Sequence, residues 1–423
     1  MDKRLQELIE LTKTKYGLHN YYLKSHIINR DVNIFNETVY TFHMNWFRDH
    51  VTEQEDDISN PEGTASIEIN LNNCRFKSVI FVKGKSYAED GVTFANLHTE
   101  DIINWVERET GLTYGKQFQI QKEEEGNLHF KECIDGIDVS PSGSIEVKFD
   151  QEGRLTFFNV NGQFPTTDMI IKETYNLTFG KVEHVAEQQL KLTEFPSYQQ
   201  KKMFPVYAVE EIYVMNDRTS TIPYEFIVDV RSFLPINKTL NWDQSIHPSF
   251  DRKKLNWIED ITVEQAFSLE PAADSYPISK VEQEKCVKAV NDLLRQEYPN
   301  ESGNWILKTL HRDKGYIHAI LRMNKQDHRI FQRKLMIMID ANNLQAVNYI
   351  DNKSMLDIYD QFQSPDKVAI TKEEAYEKLK EFYELKPYYV YDFNQKKYVL
   401  CGKLDCQYGV IASNGEVAEL RNL

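Results

Sequence analysis

Glycine is scarce in this 423-residue chain, at 17 residues, and the glycine-rich loops that cradle phosphates are missing. Neither Gly-x-x-x-x-Gly-Lys-Ser/Thr nor Gly-x-Gly-x-x-Gly occurs, and there is no Gly-x-Ser-x-Gly elbow. No His-Glu-x-x-His places two of the 11 histidines on one helix face, which removes the commonest zinc-hydrolase signature. The cysteines Cys74, Cys133, Cys286, Cys401 and Cys406 are odd in number and irregular in spacing, so they do not read as a disulfide framework. Free thiols fit a reducing compartment. No run approaches the ~20 apolar residues that span a bilayer. The start of the chain carries Leu5, Leu8, Ile9 and Thr12 at helical spacing among charges, an amphipathic helix and not a signal peptide. A cytoplasmic setting is expected. Positive charge is also short: 50 Lys and Arg face 65 Asp and Glu, for a net charge of −15. Such a surface repels phosphate backbones, which argues against nucleic acid as the main partner.

What the chain does have is a 41% hydrophobic, 12% aromatic composition, that of a folded protein, and a recurring pattern. Strand pairs joined by a tight polar turn recur at Ser144–Val160 and Arg333–Ile350, and more loosely at Thr64–Val82 and Tyr408–Leu420. The helices expected ahead of the strands carry apolar stripes: Ile102, Ile103 and Val106 after Thr99 as possible N-cap; Val182, Val185, Ala186 and Leu190; Val287, Val290, Leu293 and Leu294. Ser279/Glu282 and Thr371/Glu374 have capping-box spacing, the latter ahead of Ala375, Leu379, Phe382 and Tyr383. In the strands, Ile145, Val147 and Phe149 alternate with Glu146, Lys148 and Asp150, and Ile67, Ile69 and Leu71 with Glu68 and Asn70. That alternation predicts sheets wet on one side. Leu335–Ile339 is apolar throughout and predicts a strand covered on both faces. Gly153 and Gly415 supply hairpin turns. The expected fold is α+β: repeated helix-plus-antiparallel-sheet modules at 1–95, 96–167, 168–250, 251–362 and 363–423, in two lobes joined by a linker at 243–260 that contains Pro248.

The stretch HFKECIDGIDVSPSGSIEVKFDQEGRLTFFNVNGQF, His129–Phe164, resembles the core of the YcdB/YcdC repeat proteins of Bacillus-type bacteria. That family is similar to PepSY domains and to the propeptides of thermolysin-like peptidases. The shared features are Phe130, the turn Gly136-Ile137-Asp138-Val139, the alternating strand Ile145–Asp150, Gly153 and the return strand Leu155–Val160. The helix starts at Ile261 and Ile370 resemble PepSY openings. The resemblance implies PepSY/cystatin-like modules that bind or restrain peptidases or serve the cell envelope.

Isolated candidates for chemistry have plainer accounts. His311, His318 and His328 read as surface or hairpin histidines, the first two pointing to opposite faces if they share one regular strand. Cys401 and Cys406, about 16 Å apart on one strand, read as half-buried structural thiols, since a disulfide needs Cα atoms within ~7 Å. Cys74 and Cys133 read as sheet cysteines. The acidic run Glu53–Asp57 lacks the alternating ligands of a calcium loop, and Glu123–Gly126 reads as a hairpin tip. No catalytic, metal or cofactor-binding residue is indicated. Aromatic residues are the remaining hint: Tyr388, Tyr389, Tyr391 and Phe393, with Tyr207, Tyr213 and Tyr224, could form a partner surface, or pack as strand residues under a helix. Open sheet edges offer a second binding mode. The function expected is a non-enzymatic protein-interaction or peptidase-regulating role, with a peptidase or envelope factor as partner. The alternative is a hydrolase with a carboxylate or histidine site between the lobes.

Overall fold

The computed structural model describes residues 1–49, 60–95, 97–223, 233–247, 249–325 and 328–423. The acidic run 53–57, Tyr224 and Pro248 lie outside these described residues.

Helices form where the apolar stripes lie. Helix α1 (Lys3–Lys15) is capped by the Asp2 carboxylate, which accepts the Arg4 N–H, and it buries Leu5, Leu8, Ile9 and Thr12. Helix α2 (Thr99–Thr110) buries Ile102, Trp105 and Val106. His98, not Thr99, is its N-cap, and the Thr99 hydroxyl donates to Glu123 instead. Helix α3 (Phe179–Gln189) buries Val182, Val185 and Ala186. Capping boxes start α4 (Val263–Phe267) at Thr262, α5 (Lys280–Glu297) at Ser279 and, after the short α6 (Lys353–Leu356), α7 (Lys372–Leu379) at Thr371.

The strands, in chain order, begin with β1 (Tyr21–Val32), β2 (Thr38–Arg48), β3 (Ala65–Asn70), β4 (Arg75–Phe81), β5 (Phe118–Glu124), β6 (Asn127–Ile134), β7 (Ile137–Ser140), β8 (Ser144–Phe149) and β9 (Leu155–Asn161). There follow β10 (Leu190–Ser197), β11 (Lys202–Val209), β12 (Ile212–Met215), β13 (Thr221–Pro223), β14 (Leu234–Leu240), β15 (Trp305–Asp313) and β16 (Tyr316–Met323). The last are β17 (Lys334–Asp340), β18 (Ala346–Asp351), β19 (Glu384–Asp392), β20 (Lys397–Asp405), β21 (Tyr408–Ile411) and β22 (Val417–Glu419). All four segments with the recurring pattern fold as hairpins, β3–β4, β8–β9, β17–β18 and β21–β22.

The expected α+β architecture of separate helix-plus-sheet modules is overturned. Strand takes 40% of the chain and helix 23%, and most strands join one mixed sheet of 13. Its order is β1-β2-β3-β4-β9-β8-β6-β7-β19-β20-β12-β13, with β5 on β6. Two smaller sheets run β10-β11-β21-β22 and β14-β15-β16-β17-β18. The physical reason is edge satisfaction. A module that ends on an open strand leaves a row of unpaired N–H and C=O groups. Here such rows pair across the expected boundaries: β4 with β9, β7 in parallel with β19, β12 with β20, β11 with β21 and β14 with β15. Side-chain alternation does not encode which edge meets which.

Locally the alternation holds. Ile67, Ile69, Ile145 and Val147 are buried, with Glu68 and Glu146 only half-buried beside them. The first core joins α1 and α2 to β2, β3, β6, β8 and β9 through residues such as Phe42, Ile67, Ile102, Phe130 and Phe158. A second lies between α5 and the five-stranded sheet, where Leu293 and Leu294 meet Trp305, Ile317 and Ile337. There β17 buries Leu335, Ile337, Met338 and Ile339, close to the expectation of cover on both faces. A third core collects α3 and α7. The expected linker is a strap without regular structure that docks on the five-stranded sheet: Lys253 N–H donates to Val347 O at 2.8 Å, and Asn256 N–H to the Tyr316 hydroxyl at 3.0 Å.

Candidate functional site

The strap and the edge of the large sheet leave a cleft of about 570 Å³ between them. One wall is the end of β1 and its turn, with Ile27, Asn29, Arg30, Asp31, Val32 and Asn33. The opposite wall is the strap (Asn256–Glu259 and Ile261), the segment Ala272–Asp274 and the β15–β16 turn at Arg312–Gly315. Contacts on its flanks fix the two walls together: Ala272 N–H donates to Thr38 Oγ1 at 2.8 Å, and the Tyr40 hydroxyl to Glu270 O at 2.7 Å.

Strand β1 is 12 residues long and, among the described residues, pairs with β2 alone. Tyr22 and Ile27 on it are exposed, at 41% and 48%. A long edge strand with exposed apolar side chains is the kind of edge that natural proteins usually blunt.

The charges in the cleft are partly spent. Arg30 is held by Glu259, and Arg312 donates to Glu282 at 2.6 Å and to Tyr276 O at 3.1 Å. Asp274 accepts long hydrogen bonds from the Gly315 N–H, at 3.3 and 3.4 Å, and no ion pair holds it among the described residues. Burial pushes its carboxyl above the usual carboxylate range; the Gly315 N–H pulls the other way, and the nearby Asp313 and Glu259 add to the rise. Asp31 on the facing wall is exposed. The lining holds no Ser, Thr, Cys or His, so no hydroxyl, thiol or imidazole nucleophile lines it. No group of three or more His, Cys, Asp or Glu among the described residues could hold a metal ion. Likewise, no described helix is long and apolar enough to cross a membrane.

The aromatic residues expected to share a partner surface are divided among three clusters. Tyr207 belongs to the third core, its hydroxyl 3.3 Å from Ile370 O. Tyr389 and Tyr391 pack with Tyr398 in a fourth cluster that Phe393 joins from the side, and Tyr213 and Tyr388 belong to a fifth on the opposite sheet face. Tyr207, Tyr213, Tyr389 and Tyr391 are buried. The physical reason is packing on both sheet faces: Phe35, Met169 and Ile170 cover Tyr389, Tyr391 and Tyr398 on one side, and Ile171 packs with Tyr213 and Tyr388 on the other. The Tyr213 hydroxyl donates to Glu211 at 2.7 Å and lies 3.0 Å from Ser140 Oγ; Lys403 pairs with the same Glu211 at 2.7 Å. Burial pushes Tyr213 far above the ordinary tyrosine range, so this network braces β7 against β12 and supplies no base.

His311 and His318 lie on two strands, not one. They face each other across the β15–β16 hairpin with ring centroids 5.0 Å apart, and Trp257 of the strap packs on His318. Cys401 and Cys406 are free and buried more deeply than expected; Cys401 lies on β20 in the fifth cluster, whereas Cys406 lies just past the end of that strand, in the third. Burial pushes the Cys401 thiol up to about 12, which makes it inert. Cys133 is a sheet cysteine, whereas Cys74 is exposed in the β3–β4 turn at φ 55°. Glu123–Gly126 forms the β5–β6 hairpin tip.

Nothing in the sequence pattern marks Asp31 or Asp274, because neither falls in a motif and the fold alone brings them together. Glu132 does carry a signal: it is in phase with Leu128, Phe130 and Ile134, which puts a carboxyl on an otherwise apolar strand face. Comparison with protein families, with curated proteins and with solved structures finds no match to this chain.

Proposed function

We propose that the protein is a non-enzymatic protein-interaction module that captures an extended, basic segment of a partner protein along β1. What supports this reading is one observation: a 12-residue edge strand borders a cleft along its final third. An added strand would satisfy the open backbone groups, each bond worth about 0.5–1.5 kcal/mol net. Charge complementarity selects a basic segment. Arg30 and Arg312 are already neutralised; of the other lining charges Lys314 is the one cation against Asp31, Asp274 and Asp313, so the balance is acidic and favours an incoming Lys or Arg. The resemblance to YcdB/YcdC proteins suggests the partner class, a peptidase of thermolysin type, with its regulation as the outcome.

The test is a titration with extended synthetic decapeptides that alternate apolar and polar residues, in Lys-bearing and Glu-bearing versions, followed by hydrogen exchange. The Lys-bearing peptide is expected to bind and to protect amides at 27–33. Binding that leaves β1 amides unchanged would sink the reading. Asp274→Asn is expected to weaken the Lys-bearing peptide by about 5–30-fold, the 1–2 kcal/mol of one charge-assisted contact. The affinity should also fall as pH drops through the raised Asp274 pKa, because protonation removes the charge that the segment meets. An inhibition assay with a thermolysin-type peptidase checks the partner class separately.

The hydrolase alternative has one observation in its favour, the raised Asp274 carboxyl in the cleft. With no Ser, Thr, Cys or His in the lining, attack by water beside a lining carboxyl is the plainest route for it. Turnover of any peptide that Asp274→Asn abolishes would favour it over capture.

A further inference from the structure

Glu132 on β6 has no exposed surface. It lies between Phe130 of the first core and Ile134 of the fourth, on the same strand face, so its carboxyl enters the place where those two cores meet. Oε2 accepts the Gly143 N–H at 2.7 Å, and the Glu132 N–H donates to Gly143 O at 2.8 Å. Oε1 is buried with no hydrogen-bond partner, and so is the hydroxyl of Tyr398 on β20. Tyr398 is the titratable group that feels this carboxyl from β20, and Cys133 is the one beside it on β6; both are pushed up, chiefly by burial. The other neighbours at Gly143, Asn161 and Phe164 bring no charge. A buried carboxylate with no cation costs several kcal/mol, and the neutral acid costs less.

The carboxyl sits where the large sheet is thinnest. The path from β6 to β19 and β20 passes through β7, four residues long. β7 meets β6 only at Cys133–Asp138 and Ile134–Ile137, and β19 only at Asp138–Tyr388, Val139–Tyr389 and Ser140–Val390. Gly143 lies three residues past β7 and directly ahead of β8, so the bond from Glu132 to Gly143 ties the turn between β7 and β8 to β6.

We propose that Glu132 is a proton-operated latch on this seam: as a neutral acid it holds the 141–143 turn against β6, and on losing its proton to solvent it releases the turn and loosens the β6–β7–β19 junction. Burial pushes the carboxyl up to about 8, opposed only by the Gly143 N–H. In the opened state the group returns to the ordinary Glu value of about 4.3, so opening releases one proton between those two values. The opening constant of the seam therefore rises about tenfold per pH unit up to about pH 8 and levels off above it.

The experiment is hydrogen exchange of amides 137–140, 142 and 143 from about pH 6 to about pH 9, on the full chain and on Glu132→Gln, with intrinsic base catalysis divided out. The wild type is expected to show the tenfold-per-unit rise and plateau, and Glu132→Gln a flat profile. The same slope in both proteins would overturn the latch. Should the glutamine variant not fold, infrared spectra of wild-type protein carrying carboxyl-labelled glutamate decide. A protonated acid band that persists at neutral pH and disappears near pH 8 together with seam protection supports the latch; no such band at neutral pH overturns it.

Discussion

Replacing Arg333 with alanine is expected to lower the unfolding free energy by about 3–5 kcal/mol, the usual cost of stranding buried carboxylates. Arg333 lies just ahead of β17 and binds Asp351 through Nη2 at 2.8 Å and Nε at 3.3 Å. It also reaches Glu301 at 3.3 Å. The surroundings are already committed to these acids. The Tyr298 hydroxyl donates to Asp351 at 2.8 Å and Trp305 Nε1 to Glu301 at 2.9 Å, while the guanidinium packs over both of those rings. Side-chain exposures of 17% for Arg333 and 13% for Asp351 mean that water cannot replace the lost partner fully.

Burial alone would push Asp351 up; the Arg333 guanidinium and the Tyr298 hydroxyl outweigh it and hold the carboxyl below its ordinary value. A depressed folded pKa contributes stability that is present above the unfolded value of about 3.9 and is lost as pH falls through the folded one. The gap between wild type and Arg333→Ala should therefore narrow below about pH 4. Urea unfolding at neutral and acid pH measures both effects. A loss under about 1 kcal/mol at neutral pH would show that the network is no stronger than a surface pair. Adding Asp351→Asn and Glu301→Gln to the alanine variant should recover part of the loss, because the stranded charges are then gone.

Gly17→Ala is the second large effect, at about 3 kcal/mol or more. Gly17 follows α1 at φ +64°, and a Cβ there would stand 2.0 Å from Glu89 O and 2.6 Å from Gly91 N. Those are backbone atoms, so no rotamer change relieves the overlap. The contact is also a hydrogen bond, Glu89 N–H to Gly17 O at 2.9 Å, which holds the 86–91 loop to the end of α1 beside the buried Tyr16 and Leu18. Gly136→Ala separates conformation from crowding: it has φ +79° with nothing within 4 Å of its Cβ, so only the left-handed backbone cost of about 1 kcal/mol should appear. Equal losses in the two variants, read by thermal or urea unfolding, would refute the close approach as the cause.

Much of the local structure was legible because it depends on neighbours a few residues apart. Ser279 and Thr371 start helices because a Glu three residues on completes the box, whatever the rest of the chain does. Gly153 and Gly415 turn hairpins at φ +78° and +76° for a reason internal to the turn. His311 and His318 were harder to read, because a turn at Asp313–Tyr316 placed between them converts one strand into two and opposite faces into one. The candidate site was barely legible: Arg30, Asp274 and Lys314 come from three separate parts of the chain, with no motif linking them.

By itself the sequence determined several helices and hairpins, which of their faces are apolar, and that no common catalytic signature is present. Only the tertiary structure decided that the strands would merge into a 13-stranded sheet, that Glu132 would lie sealed between two cores, and that β1 would be left open beside a cleft. The reason is that strand edges join through backbone N–H and C=O groups, which are alike at almost every residue. Which edge finds which partner is settled by how the whole chain packs, and burial follows from that choice.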